Sequence, residues 1–126
     1  MADASATIAI VDDDPPVLKA LRRFLRGRGF DVRTYDSGQA FLETLAEDEP
    51  DCLIADLQMP GISGLELFQQ MTRAGYRIPT IIITAHSPEE SRKNCLAAGV
   101  AAFFAKPVPI PELLGVIEAT CRASKP

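Results

Sequence analysis

The stretch that decides the fold reads Asp51-Cys52-Leu53-Ile54-Ala55-Asp56-Leu57-Gln58-Met59-Pro60-Gly61. Its first half is a short apolar run, and Asp56 stands between that run and a loop of turn-forming residues. Short apolar runs bounded by turn residues are typical of buried strands. A carboxylate at the tip of a buried strand costs free energy unless a cation offsets its charge. The stretch therefore predicts a strand that ends in a functional site.

A second acidic cluster follows the other strongly apolar run of the chain. The run at 8–11 is followed by three aspartates and then by two prolines. Because proline is favoured in the first turn of a helix, we predict that a helix begins there and that Asp14 caps it. Asp12 and Asp13 then join Asp56 as carboxylates at the tips of two buried strands. We expect a cation between these strands.

Short apolar runs alternate with longer amphipathic segments along the whole chain. We predict five strands, at 7–11, 31–35, 52–55, 80–84 and 101–104. The helices are predicted to start near Pro15, after Ser37, after Ser63, near Pro88 and around Pro111, with the fourth helix ending at Gly99. Five β/α repeats predict one doubly wound (βα)5 domain of the α/β class, in which helices cover both faces of a five-stranded parallel sheet. The domain spans residues 1–126, with loose tails expected at about 1–5 and 122–126.

Charge, hydropathy and cysteine usage exclude several classes of function. The net charge of −4 argues against direct nucleic acid binding by this domain. The chain has no apolar run near the roughly 18 residues of a membrane span, and its first residues do not form a basic segment followed by a long apolar stretch. The cysteines, Cys52, Cys95 and Cys121, lack metal-ligand spacing and suit reduced thiols in the cytoplasm, which is the expected setting. Cys52 lies inside an apolar run, so we expect it to pack in the core.

The strand tips carry the residue types of a phosphoryl-transfer site. Ligands of such folds bind beyond the carboxyl ends of the strands, where we expect Asp12, Asp13, Asp56, Thr84 and Lys106. Hard oxygen ligands without histidine or cysteine favour Mg²⁺, or Mn²⁺ in its place. A lysine supplies a point charge for a phosphoryl oxygen, and a hydroxyl donates to another. Taken singly, Thr84 could be a strand-end cap and Lys106 a surface lysine. Their coincidence at equivalent tips favours a site with a carboxylate nucleophile.

Four segments resemble the receiver domains of bacterial two-component response regulators. The order and spacing of these segments match that family from about residue 7 to residue 121. The resemblance implies a flavodoxin-like fold with strand order 2-1-3-4-5. The segments are Ile-Val-Asp-Asp-Asp at 10–14, Ala-Asp-Leu-Gln-Met-Pro-Gly-Ile-Ser-Gly-Leu-Glu-Leu at 55–67, Ile-Ile-Thr-Ala at 82–85 and Ala-Gly-Val-Ala-Ala-Phe-Phe-Ala-Lys-Pro at 98–107.

The resemblance implies a phosphoacceptor and a metal site. Asp56 would accept a phosphoryl group from the phosphohistidine of a sensor histidine kinase or phosphotransfer protein, or from a small phosphodonor. Asp13 and Asp56 would bind Mg²⁺ directly, and Asp12 would help through water. The backbone carbonyl of Gln58 would complete the protein ligands.

The resemblance also implies a switch. Lys106 would contact the phosphoryl group, with a cis peptide bond before Pro107. The Thr84 hydroxyl would move toward a phosphoryl oxygen and the ring of Phe103 would turn inward, changing the surface of the fourth helix, fifth strand and fifth helix. The alternative for Phe103 is a permanently buried core ring. Gln58 and His86 would tune the lifetime of the phosphoaspartate, the alternative for His86 being an exposed loop histidine without effect.

Two other functions compete with a switch. A Mg²⁺-dependent phosphatase with an aspartyl nucleophile is the alternative, but such enzymes commonly carry a second acid two residues later, where this chain has Gln58. A flavin-binding module of similar fold is rejected, because the acidic loop after the first strand would repel a phosphate. The partners of a switch would be an output domain or a downstream protein, and it could form a homodimer on phosphorylation. The short tail after Cys121 favours the receiver part of a longer regulator over a complete single-domain protein.

Overall fold

The computed structural model describes residues 6–85 and 88–124, with side chains described through Cys121. The predicted loose tails at 1–5 and 122–126 fall outside the fully described part. The strands are β1 (Thr7–Val11), β2 (Asp31–Tyr35), β3 (Cys52–Asp56), β4 (Thr80–Thr84) and β5 (Ala102–Ala105). The helices are α1 (Pro15–Gly27), α2 (Gly38–Leu45), α3 (Gly64–Arg73), α4 (Glu89–Ala98) and α5 (Ile110–Ser124).

The strands form one parallel sheet in the order β2-β1-β3-β4-β5, which confirms the predicted topology. The order reverses between β1 and β3, because the chain first adds β2 on one side of β1 and then β3 on the other. Ligand crevices of doubly wound sheets open at this point, beyond the carboxyl ends of the strands. The register pairs Val11 with Ala55, so Asp12, which follows β1, and Asp56, the last residue of β3, are neighbours at the carboxyl end of the sheet.

Helices cover both faces of the sheet, and each face has its own apolar cluster. On one face Phe41 of α2, Met71 of α3 and Cys95 of α4 pack against the strands. On the other face Leu25 of α1 and Ile117 of α5 do so. Every residue of β3 and β4 is buried, as expected for central strands covered on both sides. The continuous apolar runs of the sequence follow from this double burial.

The predicted helix boundaries are largely confirmed. Ser63 and Glu66 form a capping box at the start of α3, and Ser37 accepts a hydrogen bond from the Ala40 amide at the start of α2. Gly99 ends α4 with φ of 111°, a left-handed conformation that glycine adopts without strain. Asp14 occupies the N-cap position of α1, but its side chain accepts no capping hydrogen bond. The prediction that Asp14 caps α1 is therefore confirmed for its position at the helix start, although not through a side-chain hydrogen bond.

The fifth strand differs from its prediction by one residue. The sequence predicts it at 101–104, whereas it spans Ala102–Ala105, because Ala105 pairs with Thr84 of β4. The shift brings Lys106 directly to the carboxyl end of the sheet. None of the helices in the described ranges combines the length and the apolar character needed to cross a bilayer.

Candidate functional site

Three carboxylates meet at the point where the strand order reverses. Asp12 is fully buried, Asp56 is 5% exposed, and Asp13 faces solvent. One carboxylate oxygen of each lies within 4.8 Å of the others, a spacing that a single metal ion can bridge. The structure therefore brings together the three aspartates that the sequence placed at two different strand tips.

Lys106 supplies a positive charge beside these carboxylates. Its ammonium nitrogen lies 2.9 Å from Asp12 Oδ2 and 3.6 Å from Asp56 Oδ2. Its backbone amide donates to the carbonyl oxygen of Thr84 at 2.8 Å, and the peptide bond to Pro107 is cis. Because Lys106 is anchored to the end of β4, its side chain reaches back over the crevice. Lys106 thus supplies one positive charge at the place where a cation is expected.

The environment of Asp12 fits a metal ion as well as a lysine. Its Oδ1 accepts a hydrogen bond from the Asp14 amide at 2.9 Å. Among the described residues, Asp12 Oδ2 is a buried side-chain oxygen that accepts no hydrogen bond. It forms an ion pair with the Lys106 ammonium. A buried carboxylate oxygen with spare capacity, beside two further carboxylates, suits a hard divalent cation. Asp12, Asp13 and Asp56 therefore form a group that could hold Mg²⁺.

The loop after β3 is tied to the sheet beside Asp56. The Gln58 amide donates to Asp56 Oδ1 at 3.3 Å, and the Leu57 amide donates to the Ile83 carbonyl at 2.7 Å. The amide of Gly64 donates to the Leu57 carbonyl at 3.0 Å and closes the loop. These backbone bonds fix Asp56, so its carboxylate is presented from a rigid turn. Gly64 was not singled out by the sequence patterns, because its role depends on a close approach between α3 and β3.

The pKa of Asp56 and the pKa of Lys106 are both raised in this site. Burial, together with the charge of Asp12, raises the pKa of Asp56 to about 6, although Lys106 and the Gln58 amide oppose the shift. Burial alone would lower the pKa of the Lys106 ammonium. The carboxylates of Asp12 and Asp56 outweigh that effect and raise it. Without a metal ion, the single positive charge of Lys106 therefore does not balance the negative charge of the three carboxylates.

The raised pKa of Asp56 predicts that the metal-free protein loses stability as pH rises. The folded pKa of about 6 exceeds the ordinary value of 3.8, so the folded state binds the proton more tightly than the unfolded state. The stabilisation is complete below pH 3.8 and is lost as pH rises through 6. Relative to Asp56→Asn, the wild type should lose about 2 kcal/mol between pH 4.5 and pH 8. Urea unfolding of both proteins in a chelator measures this difference, and a constant offset between them would contradict it.

The two switch residues predicted from the resemblance lie at neighbouring strands. Thr84 ends β4 and is fully buried. The ring of Phe103 in β5 is 5% exposed and packs into the cluster that contains Ile82 and Cys95, so it already lies inward in this structure. Arg92 of α4 donates to the Phe103 carbonyl at 3.4 Å, a link between helix and edge strand that the sequence patterns missed.

The residues predicted to tune the phosphoryl lifetime are only partly described. Gln58 is exposed and lines an open groove of about 590 Å³ between the loop after β3 and Ser91 of α4. His86 lies outside the described residues. The groove borders the loop that holds Asp56, which leaves one side of that loop open to solvent.

A parallel sheet in this strand order, with aspartates and a lysine at its switch point, places the chain in the class of doubly wound α/β domains with an acidic site. The family model described as the response regulator receiver domain matches residues 8–118. The chain belongs to the response regulator receiver domain family.

Curated relatives agree with this assignment. Response regulator protein TodT of Pseudomonas putida is 37% identical over 122 residues, which are 97% of this chain and 54% of that protein. Response regulator MprA of Mycobacterium leprae is 38% identical over 119 residues, which are 94% of this chain and 52% of that protein. The chain thus spans about half the length of the curated relatives it matches.

Solved structures agree with the fold. The crystal structure of FixJ-N superposes with a TM-score of 0.88 at 32% identity and covers 98% of both chains. The response regulator StyR superposes with a TM-score of 0.86 at 38% identity, covering 95% of this chain and 61% of that one. The domain therefore works in two-component signal transduction as a phosphorylation switch. The relatives named above are response regulators and give no specific support to the phosphatase alternative.

Proposed function

We propose that Asp56 is the phosphoacceptor of this switch. The observation that carries the proposal is a buried carboxylate, fixed by the loop after β3, with the Lys106 ammonium 3.6 Å from its Oδ2. An Asp56 oxygen would attack the phosphorus atom of a phosphohistidine on a sensor histidine kinase or phosphotransfer protein, or of a small phosphodonor. The new phosphorus–oxygen bond forms as the bond to the donor breaks.

The surrounding residues divide the remaining work. The pKa of Asp56, about 6, leaves its carboxylate deprotonated and nucleophilic at neutral pH. Lys106 would leave the carboxylates and pair with a phosphoryl oxygen, since its stem already reaches over the crevice. Thr84, at the adjacent strand tip, would donate its hydroxyl to another phosphoryl oxygen. Lys106 and Thr84 would both stabilise negative charge that develops on the phosphoryl oxygens during transfer, and this stabilisation lowers the activation free energy.

The acidic cluster would hold Mg²⁺, or Mn²⁺ in its place. Asp13 and Asp56 would bind the ion directly, Asp12 through water, and the backbone carbonyl of Gln58 would be the remaining protein ligand. The spacing of the three carboxylates and the spare capacity of Asp12 Oδ2 support this assignment. When bound, the ion neutralises charge on the transferred phosphoryl group.

The product of the reaction is a conformation and not a released compound. When Thr84 moves toward the phosphoryl group, the ring of Phe103 and the surface of α4, β5 and α5 would change conformation. An output domain or a downstream protein would recognise the changed surface. A homodimer formed on phosphorylation would use the same surface. Gln58 and His86 would set the lifetime of the phosphoaspartate. We place this function in the cytoplasm, where the domain would encounter a histidine kinase or a small phosphodonor.

Intact mass after incubation with acetyl phosphate tests the proposal. Wild type with Mg²⁺ should gain one phosphoryl group, whereas wild type in a chelator and Asp56→Asn with Mg²⁺ should gain none. Asp51→Asn is the matched control, because Asp51 is a carboxylate in the same stretch of sequence. It lies away from the site and accepts a hydrogen bond from the Thr7 amide. This variant should be phosphorylated as wild type is. Equal labelling of Asp56→Asn would contradict the assignment.

A further inference from the structure

Two cysteines lie at the amino end of the sheet, whereas Asp56 lies at the carboxyl end. Cys52 is the first residue of β3, and Cys121 lies near the end of α5. Because α5 follows β5 and runs back antiparallel to the strands, its last turns come to the amino end of the sheet, where β3 begins. Both side chains belong to the same apolar cluster as Ile117, and they are 0% and 6% exposed, respectively.

Cys52 and Cys121 lie in one buried cluster on this face of the sheet, where α5 contacts β3. The neighbouring Cys121 side chain and burial raise the pKa of the Cys52 thiol well above its usual value, while Thr120 opposes the shift. Cys52 therefore stays protonated at neutral pH, and Cys121 is the thiol with measurable exposure.

We propose that Cys52 and Cys121 form a reversible intramolecular disulfide when the protein meets a peroxide. The sulfur of Cys121 attacks one peroxide oxygen, the oxygen–oxygen bond breaks, and the thiol proton passes to the departing oxygen, so that a sulfenic acid and water result. The Cys52 sulfur then displaces the sulfenic hydroxyl group, which leaves as water. In sum, two thiols and one hydrogen peroxide give one disulfide and two waters, and two electrons pass from sulfur to oxygen.

The third cysteine shows why this pair is specific. Cys95 is also fully buried, but it lies in α4 on the other face of the sheet, in the cluster with Met71 and Phe103. Burial is the cause that raises the pKa of its thiol, with no contribution from another thiol. The sheet stands between Cys95 and the other two, so Cys95 cannot pair with either within one molecule.

The disulfide would tie the last turns of α5 to the central strand. It would join segments far apart in the chain, and cross-links of this kind stabilise by restricting the unfolded state. Oxidation should therefore raise the melting temperature by at least about 5 °C. The site is remote from Asp56, so its chemistry does not depend on phosphorylation.

The test uses the full chain treated with hydrogen peroxide, then denatured and alkylated with N-ethylmaleimide. Wild type, whose three cysteines are reduced thiols before treatment, should take up one maleimide and lose two hydrogens, and dithiothreitol should restore all three sites. Cys95→Ala should take up none, whereas Cys121→Ala should still take up two. Peptide mapping of the oxidised wild type should identify the Cys52–Cys121 link, and this arm needs no variant to fold.

Several results would overturn the proposal. These are three maleimides on peroxide-treated wild type, an equal loss of thiols in Cys121→Ala, a disulfide-linked dimer on a non-reducing gel, and oxidation of Cys121 to sulfinic acid without a link. Cys52→Ala serves as a second variant should Cys121→Ala not fold. Labelling by acetyl phosphate reports on Asp56 alone, so failure of one proposal is distinguishable from failure of the other.

Discussion

Replacing Lys106 by methionine is expected to slow phosphoryl uptake from acetyl phosphate by about a hundredfold or more. Methionine keeps the length of the stem and removes the charge that lies 2.9 Å from Asp12 and 3.6 Å from Asp56. The loss of one preorganised donor to a developing anion typically costs about 100- to 1,000-fold in rate. Time courses of intact mass at saturating Mg²⁺ measure the effect. Lys93→Met, a change at an exposed residue of α4, is the control and should react at the wild-type rate.

Two roles of Lys106 can be separated by the pH dependence of this variant. If Lys106 acts only by holding down the pKa of Asp56, the rate of the methionine variant should recover at high pH, where Asp56 is deprotonated without help. If Lys106 pairs with a phosphoryl oxygen, the deficit should persist up to pH 9. We expect the second result. A wild-type rate for Lys106→Met at pH 7 would contradict both roles.

Gly64→Ala is expected to destabilise the protein by about 3 kcal/mol or more and to disturb Asp56. A Cβ atom at Gly64 would lie 2.5 Å from the backbone oxygen of Asp56 and 3.2 Å from the Ile82 side chain. The nearer atom is backbone of a central strand, so it cannot rotate away as a side chain could. Either α3 or the tip of β3 must shift, and the phosphoacceptor lies at that tip.

Gly115→Ala is the matched control for this substitution. Gly115 is an exposed glycine inside α5, and nothing lies within 4 Å of a Cβ placed there. Alanine has the higher helix propensity, so this variant should gain about 0.5 to 1 kcal/mol. Urea unfolding of both variants, with phosphoryl uptake as a second readout, tests the pair. A Gly64→Ala protein as stable as wild type would show that α3 has room to move.

Local patterns predicted the elements well because the central strands are buried on both faces. The runs at Ile8–Val11 and at Leu53–Ala55 are apolar throughout, since helices cover each side of the sheet. Serine at two helix starts and glycine after α4 marked boundaries that the backbone confirms. The fifth strand was misplaced by one residue, because its bounds depend on pairing with β4 and not on its own composition.

The amino-acid sequence by itself determined the order of strands and helices, the parallel sheet, and the carboxylates at the tips of β1 and β3. These features follow from burial and turn chemistry, which act within a few residues. The tertiary structure alone decided which side chains lie together: the ammonium of Lys106 beside two aspartates, and Cys52 and Cys121 in one buried cluster. Such contacts join residues far apart in the chain, so they depend on how helices lie on the sheet, and no local pattern records that.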